Sequence, residues 1–132
     1  MIVGIGVDMT RIERVEKSLA RPGFLERVYG PGERALLEHM PRRAERAAAN
    51  FAAKEAFGKA LGTGLFRDFA PCEAEALRDE RGAPYFAFSG RAAALMQSRG
   101  LQAHLSLTHE GGYAAAFVVL ECVDGGENAE RP

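Results

Sequence analysis

Glu55 and Lys59 stand four residues apart in the run NFAAKEAFGKALGTG, residues 50–64. On a helix that spacing puts both side chains on one face, about 6 Å apart. Asp8 closes an apolar run, IVGIGVD, and Ser106, Thr108 and His109 gather at the end of another, AHLSLTH. Two carboxylates and a lysine are poor material for zinc, which favours His and Cys. They suit Mg²⁺, a hard ion that takes one or two carboxylates, several waters and phosphate oxygens. The Gly62-Thr63-Gly64 triplet adds backbone N–H groups that a ligand can approach closely, because no Cβ stands in the way. Cation, lysine and glycine loop together can stabilise charge on a phosphoryl group in transfer. The plainer alternative is that Glu55 and Lys59 form a solvated ion pair worth roughly 0.2–0.5 kcal/mol, with His109 structural. His39 and His104 have no neighbouring motif and receive no role.

The elements that must position these groups follow from pattern. Residues 2–8 alternate as a strand, with Val3, Ile5 and Val7 on one face and Gly4, Gly6 and Asp8 on the other. The bare glycine face invites close packing, with Asp8 at its end. This is not a dinucleotide fingerprint, since Met9 stands where the third glycine would fall. Thr10 and Glu13 have capping-box spacing ahead of a helix over residues 11–20 that buries Ile12, Val15 and Leu19. Its outer face carries a basic stripe, Arg11, Arg14, Lys17 and Arg21, partly neutralised by Glu13 and Glu16. Such a stripe is either a solvated face or a dock for an acidic partner helix anchored on Arg14 and Arg21.

Two short helices follow, around Phe24–Val28 and up to about Met40, divided by Gly30-Pro31-Gly32. A long alanine-rich helix then spans residues 42–61, with Pro41 ahead of its first turn and Gly62 as its C-cap. Ala44, Ala48, Ala52 and Ala56 give it a small-residue stripe for close packing. Phe66 and Phe69 read as loop residues tucked into the core. Residues 73–77 and 85–88 form a hairpin, Ser89 caps a helix over 91–99, and residues 103–109 and 113–122 form a second hairpin. The unbroken apolar run YAAAFVVLEC predicts a strand covered on both faces. The expected architecture is α+β, an antiparallel sheet packed with a long central helix, in one domain over 1–123 with a disordered tail over 124–132.

At 132 residues the chain suits one domain, and a net charge of −1 creates no global field for nucleic acid or membrane. Cys72 and Cys122 lack zinc-ligand spacing and fit a reducing compartment. No window approaches the ~18 apolar residues of a membrane span, and the N-terminus lacks the pattern of a signal peptide. The expectation is a soluble cytoplasmic protein.

GIGVDMTRIERV at 4–15, FAAKEAFGKALGTG at 51–64 and HLSLTHEGGYAAAFVVLE at 104–121 together resemble the bacterial holo-[acyl-carrier-protein] synthases, small 4′-phosphopantetheinyl transferases. The likeness runs from Met1 to about Glu121. It implies transfer of phosphopantetheine from coenzyme A to a serine of apo acyl carrier protein in fatty acid biosynthesis, with release of adenosine 3′,5′-bisphosphate. By this resemblance Asp8 and Glu55 hold Mg²⁺ on the pyrophosphate, and Lys59 contacts the same phosphates. Gly62, Thr63, Ser106, Thr108 and His109 surround the nucleotide, and Arg14 and Arg21 receive the acidic helix of the carrier. The resemblance further implies a homotrimer with active sites at subunit interfaces, leaving open whether Asp8 meets Glu55 within one chain or across two. Removal of the serine proton falls to Glu55, Asp8 or a metal-ordered water. One departure stands out: the family commonly has Arg where this chain has Asn50, so Arg46 or Arg43 is expected to supply the missing charge. Two rival functions remain: a carrier-binding module without turnover, and a Mg²⁺-dependent phosphohydrolase acting on nucleotides.

Overall fold

The computed structural model describes residues 1–39, 41–62 and 66–123. Five strands and five helices follow in the order β1 (Ile2–Arg11), α1 (Ile12–Leu19), α2 (Phe24–Val28), α3 (Pro31–Glu38), α4 (Arg43–Leu61), β2 (Ala74–Arg78), β3 (Pro84–Phe88), α5 (Gly90–Ser98), β4 (Leu101–Glu110) and β5 (Tyr113–Cys122). A three-stranded antiparallel sheet, ordered β1-β5-β4, carries the core, and β2 and β3 make a separate hairpin. The α+β class and the antiparallel pairing stand as expected from sequence. The sheet is split in two, however.

Helix α4 lies across β1 and β5, and glycine is what lets it lie so close. A Cβ at Gly4 would collide with the Ala60 carbonyl, and one at Gly6 with that of Ala56. On the helix side Ala48, Ala52 and Ala56 are fully buried, so small residues face small residues and the backbones nearly touch. Phe57 and Phe69 then fill the space toward β3, Phe57 contacting Phe69, Phe86 and Phe88 with ring centroids 4.9–5.4 Å apart. Gly62 ends α4 with φ +80°, as its C-cap position requires.

Several local expectations change. Strand β1 runs three residues past Asp8, so Thr10 sits in the ladder opposite Ala114 and does not cap α1. The N-cap of α1 is Arg11, with no side-chain cap bond. Ser89 occupies the N-cap of α5, also without a side-chain bond. Strand β5 is covered on one face by its own chain, by way of Ala114, Ala116, Val118 and Leu120, while Phe117 on the other face is 45 % exposed. Both cysteines are free. Thr63 and the tail over 124–132 lie outside the described residues.

Candidate active site

Because β1 crosses α4, Asp8 from the strand arrives beside Glu55 and Lys59 from the helix. The Lys59 Nζ donates to Asp8 Oδ1 at 3.1 Å and to the Val7 carbonyl at 3.0 Å. The Thr10 hydroxyl donates to Asp8 Oδ2 at 3.2 Å. Lys59 therefore pairs across elements with Asp8 instead of along the helix with Glu55. Glu55 is pushed up to about 7, first by partial burial and then by the charge of Asp8 and a hydrogen bond to it; Arg14 and Lys59 offset part of this. Asp8 and Glu55 thus meet within one chain.

Two facing carboxylates that share a proton are relieved by a cation between them. Among the described residues no group of three or more His, Cys, Asp or Glu is gathered. A metal here would have two protein carboxylates and fill its remaining positions with water and substrate oxygens. That donor set fits Mg²⁺ and does not fit zinc.

A second feature lies further toward the start of α4. A cavity of about 340 Å³ is lined by Arg42, Glu45, Arg46, Arg78, Thr108 and His109, among others. The His109 Nε2 stands 3.5 Å from Glu45 Oε1, which is also 3.7 Å from Arg42 Nη1. Thr108 and His109 both line this cavity, and Arg46 joins them, whereas Arg43 is not among the lining residues. Ser106 does not line it either; it is exposed on β4 opposite Phe117. None of Asp8, Glu55 and Lys59 lines this cavity.

The basic stripe resolves into a third feature. Arg14, Lys17 and Arg21 line a groove with Val15, Ser18, Phe24 and Phe51. Arg11 leaves the stripe and lies over the Tyr113 ring, 5.8 Å from its centroid.

Sequence patterning missed two groups. Glu33 and Lys54 are fully buried and 2.7 Å apart, and Arg78 reaches the cavity from the end of β2. Signals existed for both. Lys54 falls at i+4 from Asn50 and three before Phe57 on the inward face of α4, and Arg78 continues the inward face of Ala74 and Ala76.

Comparison with known proteins places the chain in a family. A model of the 4′-phosphopantetheinyl transferase superfamily matches residues 4–118. Among curated relatives, the holo-[acyl-carrier-protein] synthase of Photobacterium profundum is 43 % identical over 128 residues, covering 91 % of this chain and 98 % of that protein. That of Myxococcus xanthus is 46 % identical over 123 residues, covering 91 % and 95 %. The crystal structure of the Neisseria meningitidis synthase superposes with a TM-score of 0.84 at 30 % identity, covering 92 % of this chain and 99 % of that one. A Bacillus anthracis synthase in complex with CoA (3′,5′-ADP) gives 0.78 at 37 %, covering 92 % and 97 %. This chain belongs to the holo-[acyl-carrier-protein] synthase family.

Proposed function

We propose that this protein transfers 4′-phosphopantetheine from coenzyme A to a serine hydroxyl of apo acyl carrier protein, releasing adenosine 3′,5′-bisphosphate, in cytoplasmic fatty acid synthesis. The observation that carries the reading is the meeting of Asp8, Glu55 and Lys59 where β1 crosses α4. In the reaction the serine oxygen gives up its proton, to Glu55, Asp8 or an ordered water, and forms a bond to the β-phosphorus as the bond from that phosphorus to the bisphosphate breaks. The carboxylates of Asp8 and Glu55 are the groups that would hold Mg²⁺, which when bound neutralises charge on the pyrophosphate. Lys59 is 57 % exposed, so its ammonium can swing from Asp8 toward a phosphate oxygen. Thr10 keeps Asp8 oriented meanwhile.

Arg14 and Arg21, beside the aromatic rings of Phe24 and Phe51, give an acidic carrier helix both counter-charges and an apolar seat. The field of Arg14 also reaches Glu55, so a carrier docked on α1 would lie next to the carboxylate pair.

A homotrimer is supported by the outer face of the sheet. Val3, Ile5, Val7 and Met9 of β1 are 47–65 % exposed and continue into Phe117 of β5, an apolar face that a soluble protein covers. Copies meeting there offer a way to join the carboxylate cluster of one chain to the nucleotide cavity of the next. Sedimentation velocity tests this directly. A Val7→Glu variant that sediments as the wild type would remove the assembly from this face.

The transfer is tested by intact-mass measurement of apo acyl carrier protein incubated with the protein, coenzyme A and Mg²⁺. The carrier gains the mass of one phosphopantetheine, and EDTA prevents the gain. No gain with the carrier still bound would mark a docking module, and coenzyme A cleavage without a carrier would mark a hydrolase.

A further inference from the structure

Asn50 is 4 % exposed, and its amide is fixed by what surrounds it. The Nδ2 donates to Glu33 Oε2 and to the Ala76 carbonyl, each at 3.0 Å. Both partners are pure acceptors, so the orientation of the amide is determined and its Oδ1 must face the other way. There it accepts from Arg78 Nη2 at 3.3 Å. Glu33 is in turn anchored by Lys54 at 2.7 Å and by the Ala76 N–H at 3.0 Å. A buried polar chain, Lys54 to Glu33 to Asn50, therefore ends on a guanidinium at the wall of the cavity.

That guanidinium is in unfavourable company. Arg46 lines the same cavity one helical turn before Asn50, and among the described residues neither arginine has a carboxylate within 4.0 Å. Arg78 is held below its ordinary pKa by burial and then by the charge of Arg46. The lining of this cavity of about 340 Å³ sets Arg42, Arg46 and Arg78 against the one carboxylate of Glu45, which already faces Arg42 and His109, so the uncompensated Arg46 and Arg78 call for an anion of more than one charge. Planar guanidinium forks match phosphate oxygens better than an ammonium does.

We propose that Arg78, aimed by Asn50, binds the ribose phosphomonoester of the nucleotide ligand together with Arg46, making Asn50 a positioning residue for substrate binding. The inference rests on the coenzyme A reading above, because that substrate carries such a phosphate. It assigns the charge at this site to a strand residue that the helix merely steers.

Calorimetry with adenosine 3′,5′-bisphosphate and adenosine 5′-monophosphate tests it without turnover. Arg78→Gln weakens bisphosphate binding by about tenfold or more, the scale of one charge-assisted contact, and monophosphate binding by less than about twofold. Arg78→Lys, which keeps the charge without the fork, retains part of the preference. Asn50→Ala loses part of it, and the Asn50→Ala/Arg78→Gln double variant is no worse than Arg78→Gln alone, as for residues acting through one contact. Thermal melts confirm that each variant is folded. Equal weakening of both nucleotides by Arg78→Gln, no weakening, or additive losses in the double variant overturns the inference. A wild-type protein that prefers the bisphosphate yet leaves the carrier mass unchanged upholds the subsite and refutes the transferase reading; one that modifies the carrier without preferring the bisphosphate does the reverse.

Discussion

Helix α4 carries two lysines that each meet a carboxylate from another element, and the two pairs are built in opposite ways. Lys54 and Glu33 are wholly buried. All three ammonium protons of Lys54 are spent, on Glu33, the Pro71 carbonyl and the Ala74 carbonyl. Glu33 accepts at both oxygens, from Gly30, Lys54, Asn50 and Ala76. Nothing is left for a ligand to engage. Lys59 is more than half exposed and uses two donors, and its Asp8 partner faces a second carboxylate, Glu55, whose pKa burial and repulsion push up to about 7. A closed pair fixes the fold, and an open one is available for chemistry.

The sharpest way to break the comparison is Glu55→Gln. It removes a candidate cation ligand while relieving repulsion with Asp8. Transfer to the carrier falls by about 10³-fold, the order of a lost electrostatic contact in the transition state, and the melting temperature holds or rises. A variant that keeps its Mg²⁺-dependent rate would remove Glu55 from the metal site.

Lys54→Met is the mirror experiment, comparable in energy but spent on folding. It strands the Glu33 carboxylate in the core at a cost of about 3–5 kcal/mol, measured by urea unfolding. Adding Glu33→Gln recovers part of the loss, because the stranded group is then neutral. An effect on turnover with stability unchanged would make Lys54 a site residue after all. Smaller again is Gly6→Ala, which forces β1 off the Ala56 carbonyl and costs about 1–3 kcal/mol. It moves Asp8 with the strand, so its kcat should fall along with its stability.

Much of this was legible in the sequence. The glycine face of β1, the alanine stripe of α4 and the Gly62 stop are local patterns with one physical reading, and they brought Asp8 to Glu55. What stayed hidden depends on partners distant in sequence. Glu33 drew no attention in the sequence, and only the arrival of Lys54 and the Ala76 N–H gives it buried partners. Asn50 stood out only as a missing charge, because nothing local shows that its amide is already committed to Glu33, Ala76 and Arg78. Thr10 and Glu13 had capping spacing, yet β1 continued through Thr10 because β5 offered it a ladder partner, and the hydroxyl turned to Asp8. The run YAAAFVVLEC implied cover on both faces, and one chain supplies cover for only one.

One further effect reports on the open pair through its pH dependence. In metal-free protein Glu55 has its folded pKa raised from 4.5 to about 7, so the folded state holds a proton that the unfolded state gives up. The stability this group contributes is then fully present below about pH 4.5 and is lost as pH rises through about 7. Other carboxylates move the baseline, so the quantity to measure is the difference in melting temperature between wild type and Glu55→Gln in EDTA. That difference should shift in favour of the variant between pH 5 and about 8. Mg²⁺ favours the ionised carboxylates of the folded protein and should shrink the shift, whereas the Lys54–Glu33 pair, sealed from solvent, should show no response to Mg²⁺. A shift of the same size with and without Mg²⁺ would mean that the cation does not reach Glu55, and the contrast between the two lysines would then be one of burial alone.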